Sequence, residues 1–531
     1  MPLLLSARQD GSSWLILAIK WVQRRQRGPT TCREQETASR GRRSRSLTTN
    51  IREFDFFLLI KLALFSSVVF LSGCSSVTSP DLGNIYDRAA RYHDAKRNPV
   101  IVIPGVLGSQ LVSGEDGTVV WGAFGGGAAN PERASGARLV ALPMRRGTAL
   151  SELTDEVITN GALDRIELNL FGLPISLNAY AQILGTLGAG GYRDETLGSK
   201  GAIGYGDDHY TCFQFDYDWR RDIAENAQRF GEFIKVKRAF VQAQIKERFG
   251  VEGAEVRFDV VAHSMGGLVA RYYLRYGERD PDEVDIDSPP PWDGAADIDH
   301  LIMVGTPNGG STKALEQLVG GAQFASILPK YEPAILGTMP ALYEMLPRNR
   351  QRAVVEEGGN ADAEPIDLYD VNVWVRNGWG LANTAQDRVL RQLLPEASDA
   401  DERREIALDH LAKCLRRAKR FNSLMDRRVA PPSGTTLFLM AGDAIDTQSR
   451  LAISKEDHHI YSIATAPGDG TVTRASALLD ERVGRSDAEW SPQLDSPIAW
   501  KQVTFLFREH LGLTADPMFA DNVLFTLLES P

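Results

Sequence analysis

Cysteine is scarce here, four in 531 residues, and that excludes a fold stapled together by disulfides. Positive charge is also short. A net charge of −10 argues against any nucleic-acid role, because phosphate binding needs a clustered basic surface. No internal repeat is visible, so a solenoid is excluded too. What remains is 43% hydrophobic and 24% charged residues, the balance of a globular chain able to bury a large core. The length fits three to four domains or one elaborated α/β domain with insertions.

The charge is unevenly placed. Residues 1–50 hold ten Arg or Lys against three acids, which leaves 49 bases against 66 acids beyond them. After this basic leader comes an apolar run, Leu62 to Gly73, ending in Leu71-Ser72-Gly73-Cys74. At twelve residues the run is shorter than the ~20 of an ordinary membrane span. A positive flank, a short apolar run, small residues and a cysteine read as a secretory signal over 51–73. The tetrad resembles the bacterial lipobox, which implies lipidation at Cys74. Ser75 in the next position favours an exported lipoprotein of the outer membrane, facing the periplasm. The alternative is an uncleaved anchor helix over 56–73. Residues 1–50 are read as an unstructured leader or an overlong start, and 74–97 as a linker. Cys212 and Cys414 are then the unlipidated thiols of the mature chain, in a location that permits pairing; two separate buried thiols are the open alternative.

From residue 98 to the end, short apolar runs alternate with longer helical stretches, the pattern of a mostly parallel sheet flanked by helices. Strands are expected at 98–104, 210–215, 256–262, 300–305, 435–441 and 500–507. Helices are expected at 178–190, 225–249 and 266–276, with 3.6-residue periodicity. Two stretches interrupt the alternation, about 110–175 and about 311–430, and insertions of that size in a compact α/β unit read as a lid and a cap.

The chemistry concentrates at Ala262-His263-Ser264-Met265-Gly266-Gly267. A strand runs into Ser264 and a helix leaves it, so the serine sits on a sharp turn with its hydroxyl pushed out at the end of the sheet. Small residues at Ala262 and Gly266 avoid collision with neighbouring backbone. A serine hydroxyl is a poor nucleophile at neutral pH, so this reading demands a base, a group orienting that base and donors for the oxyanion. The turn Gly105-Val106-Leu107-Gly108 follows the first strand, where its backbone can approach a substrate closely. The N–H groups of Val106 and Met265 are the candidate oxyanion donors.

Eight histidines compete for the base. In the α/β-hydrolase order of nucleophile, acid, base, His93, His209 and His263 come too early. His510 follows the last strand and precedes a terminal helix over 516–528, where that architecture places its base. His300 opens a strand at the wrong end. His410 falls on an amphipathic cap helix over 401–428, where a solvated face accounts for it. His458 and His459 beside Asp457 hint at a metal, but no second ligand cluster accompanies them. For the acid, the candidates are Asp443, directly after a strand, and Asp469, in Pro467-Gly468-Asp469-Gly470-Thr471-Val472; the glycine turns at Gly468 and Gly470 present Asp469 more firmly, and it lies nearer His510.

Several segments, in order, resemble one family: Pro104-Gly105-Val106-Leu107-Gly108-Ser109, Gly191-Tyr192-Arg193-Asp194, Asp216-Tyr217-Asp218-Trp219-Arg220, the elbow at Ser264, Gly305-Thr306-Pro307-Asn308-Gly309-Gly310, Gly468-Asp469-Gly470-Thr471-Val472 and His510-Leu511. Together they are similar to the lecithin:cholesterol acyltransferase family over about 98–525. The resemblance implies an α/β-hydrolase fold with Ser264 as nucleophile, Asp469 as acid, His510 as base, and Val106 and Met265 as oxyanion donors. Ala262 departs from the family's usual glycine. Asp218, Trp219 and Arg220 read as structural. The implied activity is transfer of a fatty acyl group from a phospholipid or other fatty acyl ester, through an acyl-serine, to water or a lipid alcohol at a membrane surface reached by the lipid anchor. No metal or organic cofactor is required. The competing readings are an esterase or thioesterase with a small soluble substrate, and a catalytically silent envelope binding protein.

Overall fold

Six strands build the central sheet: β1 (Val100–Ile103), β2 (Cys212–Gln214), β3 (Phe258–His263), β4 (Ile298–Val304), β5 (Thr436–Gly442) and β6 (Trp500–Leu506). They lie in the order β6-β5-β4-β3-β1-β2, each pair parallel. These coordinates are a computed structural model. It describes residues 80–529 apart from 125–126, 164–165, 171–172, 178–179, 324–327, 360–363 and 484–490. The chain divides into units at 1–78 and 79–531, and the description is of the second. The leader 1–50, the signal 51–73 and Cys74 lie outside the described residues.

Parallel strands cannot be joined by hairpins, so helices must cross between them. The main ones are α1 (Ala181–Ala189), α2 (Ile223–Phe249), α3 (Met265–Tyr276) and α4 (Ala400–Met425), and α5 (Pro517–Leu528) follows β6. Every residue of β1 and β3 is buried, as a strand covered on both faces requires. The period-2 alternation of β1 divides the core. Ile101 and Ile103 pack in the same cluster as Phe230 of α2 and Leu268 of α3, whereas Val100 and Val102 join Ile183 of α1 and Phe519 of α5. Local chemistry sets the helix ends. Asp222 caps α2 by accepting from Ala224 and Glu225 N–H at 2.8 and 3.1 Å, and Gly250 closes it at φ 69°. α2 therefore begins two residues before the expected start. No helix among the described residues is long and apolar enough to cross a membrane.

Three excursions leave the sheet. The first, after β1, carries the three-stranded sheet of Ser109–Ser113, Val119–Trp121 and Val157–Ala162. The second, after β4, carries short helices and the long α4. The third was not foreseen in the sequence: after β5 the chain makes an antiparallel hairpin, Ile445–Ile453 with Ile460–Gly468, whose first strand also pairs with Val354–Glu356. The Asp218-Trp219-Arg220 segment ties the first excursion down. Arg220 is fully buried, bridges Asp218 and Asp155 at 2.8 Å each, and donates to the carbonyls of Leu139 and Val140.

One sequence expectation needs adjustment, and one open question is answered. His410 is not on a solvated face: it is buried, with Nε2 3.0 Å from the Thr338 carbonyl. The charged residues around it in sequence turn outward while His410 joins the apolar stripe of α4. Cys212 and Cys414 are both buried and free, one in β2 and the other in α4.

Candidate active site

The carboxyl ends of the strands gather the chemistry, as expected for an open α/β sheet. β3 delivers Ser264 at φ 52° and ψ −125°, a backbone region costly for any residue with a side chain. The turn is held by Ser264 N–H donating to the Val304 carbonyl at 2.7 Å. Its neighbours must be small. A Cβ on Gly266 would lie 2.4 Å from the Pro104 carbonyl oxygen, and one on Gly267 would lie 2.0 Å from Thr306 Oγ1. A Cβ on Gly105 would come within 2.8 Å of the Ser264 Cβ, so the turn after β1 abuts the serine.

Ser264 Oγ lies 2.9 Å from His510 Nε2, and His510 Nδ1 lies 2.8 Å from Asp469 Oδ2. The three side chains thus form one hydrogen-bonded chain, from residues as far apart as 264 and 510. Asp469 is fixed at several points. Its Oδ1 accepts from Thr471 and Val472 N–H at 2.9 and 2.7 Å, and its carbonyl accepts from His510 N–H at 2.9 Å. Burial pushes the Asp469 carboxyl up, but the imidazole of His510 and the two backbone donors outweigh it, so it sits below its ordinary value. It is therefore an acceptor-only carboxylate, which assigns the proton on His510 to Nδ1 and leaves Nε2 free to accept from the serine hydroxyl.

The other acid candidate is elsewhere. Asp443 pairs with Arg474 at 3.0 Å and makes no bond to His510. Gly442 is what allows Asp469 into place, since a Cβ there would meet the Asp469 Cβ at 2.4 Å. Met265 N–H opens α3, so it has no partner within the helix. Val106 lies in the turn closed by Gly108 N–H donating to the Gly105 carbonyl at 3.0 Å.

Three further histidines have defined partners. His300 bonds Asp259 at 2.7 Å. With Asp299 these two are, among the described residues, the group whose donor atoms converge most like a cation site. They sit toward the opposite end of the strands from Ser264. His459 bonds Asp457 at 2.7 Å on the exposed hairpin. His263 is a finding that sequence reasoning missed. It is buried, with Nδ1 3.2 Å from the Tyr180 hydroxyl and Nε2 3.1 Å from the His510 carbonyl oxygen. The one available signal was its place directly before Ser264.

Two cavities flank this arrangement. One of about 500 Å³ lies behind the Asp469 turn, lined by Thr471, Thr473 and Arg474 among others, and neither Ser264 nor His510 lines it. The other, about 60 Å³ and almost wholly apolar, is bounded by Val106, Leu107, Trp121, Trp219, Met339 and Leu342.

A parallel sheet with a strained serine between strand and helix, and a histidine and a carboxylate returned to it from later strands, defines an α/β-hydrolase fold. Within that class, residues 192–374, about a third of the chain, match the family model described as lecithin:cholesterol acyltransferase. The match includes Ser264 and Thr306 and ends before Asp469 and His510. Among solved structures, the chain is similar to the Tle4-Tli4 complex at 13% identity and TM-score 0.45, covering 82% of this chain and 99% of that one. It is also similar to phospholipase PlaB from Legionella pneumophila (16%, TM-score 0.24, 57% and 43% covered) and to the propeptide form of Bacillus licheniformis lipase BlEst2 (10%, TM-score 0.29, 82% and 51% covered). No curated protein matches the chain.

Proposed function

We propose that this protein is a serine-dependent lipid ester hydrolase or O-acyltransferase. His510 Nε2 takes the Ser264 proton as Oγ attacks the ester carbonyl of a phospholipid or other fatty acyl ester. Asp469 holds the imidazole in the required tautomer and stabilises its cation. The N–H groups of Val106 and Met265 receive the oxyanion; loss of one such donor costs about 3 kcal/mol in the transition state. His510 then returns the proton to the departing alcohol, and water or a lipid alcohol cleaves acyl-Ser264 by the same route in reverse. No step calls for a metal or organic cofactor.

The observation that carries this reading is the Ser264–His510–Asp469 chain of 2.9 and 2.8 Å contacts. The lipid class of the substrate is supported by the lecithin:cholesterol acyltransferase match. Lipidation at Cys74 would hold the enzyme at a bilayer, where phospholipid is plentiful. The test compares fatty acid release from phospholipid vesicles with hydrolysis of short soluble esters, in wild type and Ser264→Ala. Preference for vesicles, lost with Ser264, is the expected result. Faster turnover of short soluble esters with indifference to lipid would favour the soluble esterase reading instead.

A further inference from the structure

The bonds around His263 can be assigned without ambiguity. The His510 carbonyl only accepts, so His263 Nε2, 3.1 Å away, must carry a proton and donate it. Burial and the neighbouring His510 push the His263 imidazole down to about 3, so at neutral pH it holds one proton and Nδ1 accepts. The group facing Nδ1 is the Tyr180 hydroxyl, which must then donate. That same hydroxyl lies 2.7 Å from Gly105 N–H, from which it accepts. A single directional chain results, from Gly105 N–H to Tyr180 Oη, to His263, to the backbone of His510. Tyr180 and His263 are both buried, so water does not compete for these groups.

The two ends of this chain meet two separate parts of the proposed chemistry. Gly105 precedes Val106, and His510 bears the base. Gly105 lies in the turn after β1 and His510 opens the short helical turn His510–Ala515 after β6, and neither strand by itself fixes their separation. We propose that Tyr180 and His263 are positioning residues that lock the oxyanion turn and the base-bearing turn to the strand of the nucleophile. The proposal rests on the reading of Ser264 as nucleophile. Neither side chain touches a reacting atom, so both act by geometry: displacement of a catalytic group by about 1 Å costs on the order of 100-fold.

Tyr180→Phe deletes one oxygen and keeps the ring, and His263→Phe deletes both of its bonds. Each is expected to lower kcat about tenfold or more with KM within about twofold, because the lost order matters in the transition state and not in substrate binding. The rate of Ser264 labelling by a fluorophosphonate should fall in parallel. Since the two residues act through one chain, the double variant should be no slower than the slower single; independent roles would multiply the losses. Thermal unfolding identifies which variants fold, and Tyr180→Phe alone decides if His263→Phe does not. An unchanged kcat in folded Tyr180→Phe, or multiplicative losses in the double variant, overturns the inference. Absence of Ser264-dependent labelling in the wild type would instead overturn the serine reading on which it depends.

Discussion

Replacing Asp469 by Asn tests the proposed chemistry with almost no change of shape. The Asn carbonyl can still accept from Thr471 and Val472, at the positions where Asp469 Oδ1 now accepts at 2.9 and 2.7 Å. Its amide nitrogen then replaces Oδ2, 2.8 Å from His510 Nδ1. Two donors cannot face each other there. His510 responds by moving its proton to Nε2, the nitrogen 2.9 Å from Ser264 Oγ, and the base is lost while the fold remains. The corresponding exchange in a serine protease lowers kcat about 10⁴-fold. At about 1.36 kcal/mol per decade, that is a barrier increase of about 5.4 kcal/mol. The assay is steady-state hydrolysis of a chromogenic fatty acyl ester, with circular dichroism as the control for folding. Asp443→Asn is the internal comparison, because Asp443 pairs with Arg474 and not with the base; it should stay within about threefold of wild type. A folded Asp469→Asn variant within tenfold of wild type, or a larger loss at Asp443, would refute the assignment of the acid.

The remaining predictions concern stability. Gly266→Ala places a Cβ 2.4 Å from the Pro104 carbonyl oxygen, a backbone atom with little room to move, and should cost about 1–3 kcal/mol or more by chemical denaturation. Arg220→Met leaves the buried Asp218 carboxylate without its cation, and breaking a buried pair in this way typically costs about 3–5 kcal/mol, read as a lowered unfolding midpoint. His263 and His410 are held down to about 3 and about 4 by burial, below the unfolded value of about 6.5. The unfolded chain therefore binds more protons between those values, and stability should fall as pH drops from about 6.5 towards 4. His410→Gln should flatten that slope; an unchanged slope would contradict the burial argument. Asp469 acts in the same direction at lower pH. Its depressed carboxyl stabilises the fold fully above the unfolded value of about 3.9, and that contribution is lost as pH falls through the lower folded value.

The four inner strands of the central sheet are legible in the sequence because strands covered on both faces must be nearly continuous apolar runs, whereas the edge strand β6 buries only Leu506. Strand ends differ from expectation by one or two residues, and so does the start of α2, which Asp222 caps. Ser264 is legible because a strand, a small-residue turn and a helix leave the nucleophile one place to be. The choice between Asp443 and Asp469 depends on the hairpin between them, and that hairpin is hard to see in the sequence because neither strand is a continuous buried run: Ile460–Gly468 buries only Gly468. His410 misled because charged neighbours on α4 dominate its local pattern, while its own face packs against the Thr338 region. Tyr180 carried no signal at all, since its partners Gly105 and His263 are 75 and 83 residues away in sequence.

Acyl transfer through this site requires Ser264 to become covalently acylated. Wild-type protein and Ser264→Ala are treated with a fluorophosphonate and, separately, quenched in the presence of excess lipid ester; both are then digested and mapped by mass spectrometry. An adduct on the peptide bearing Ser264 is expected from each reagent, absent in the alanine variant. Ester cleavage that persists in Ser264→Ala, or an adduct found on another residue, would contradict that requirement.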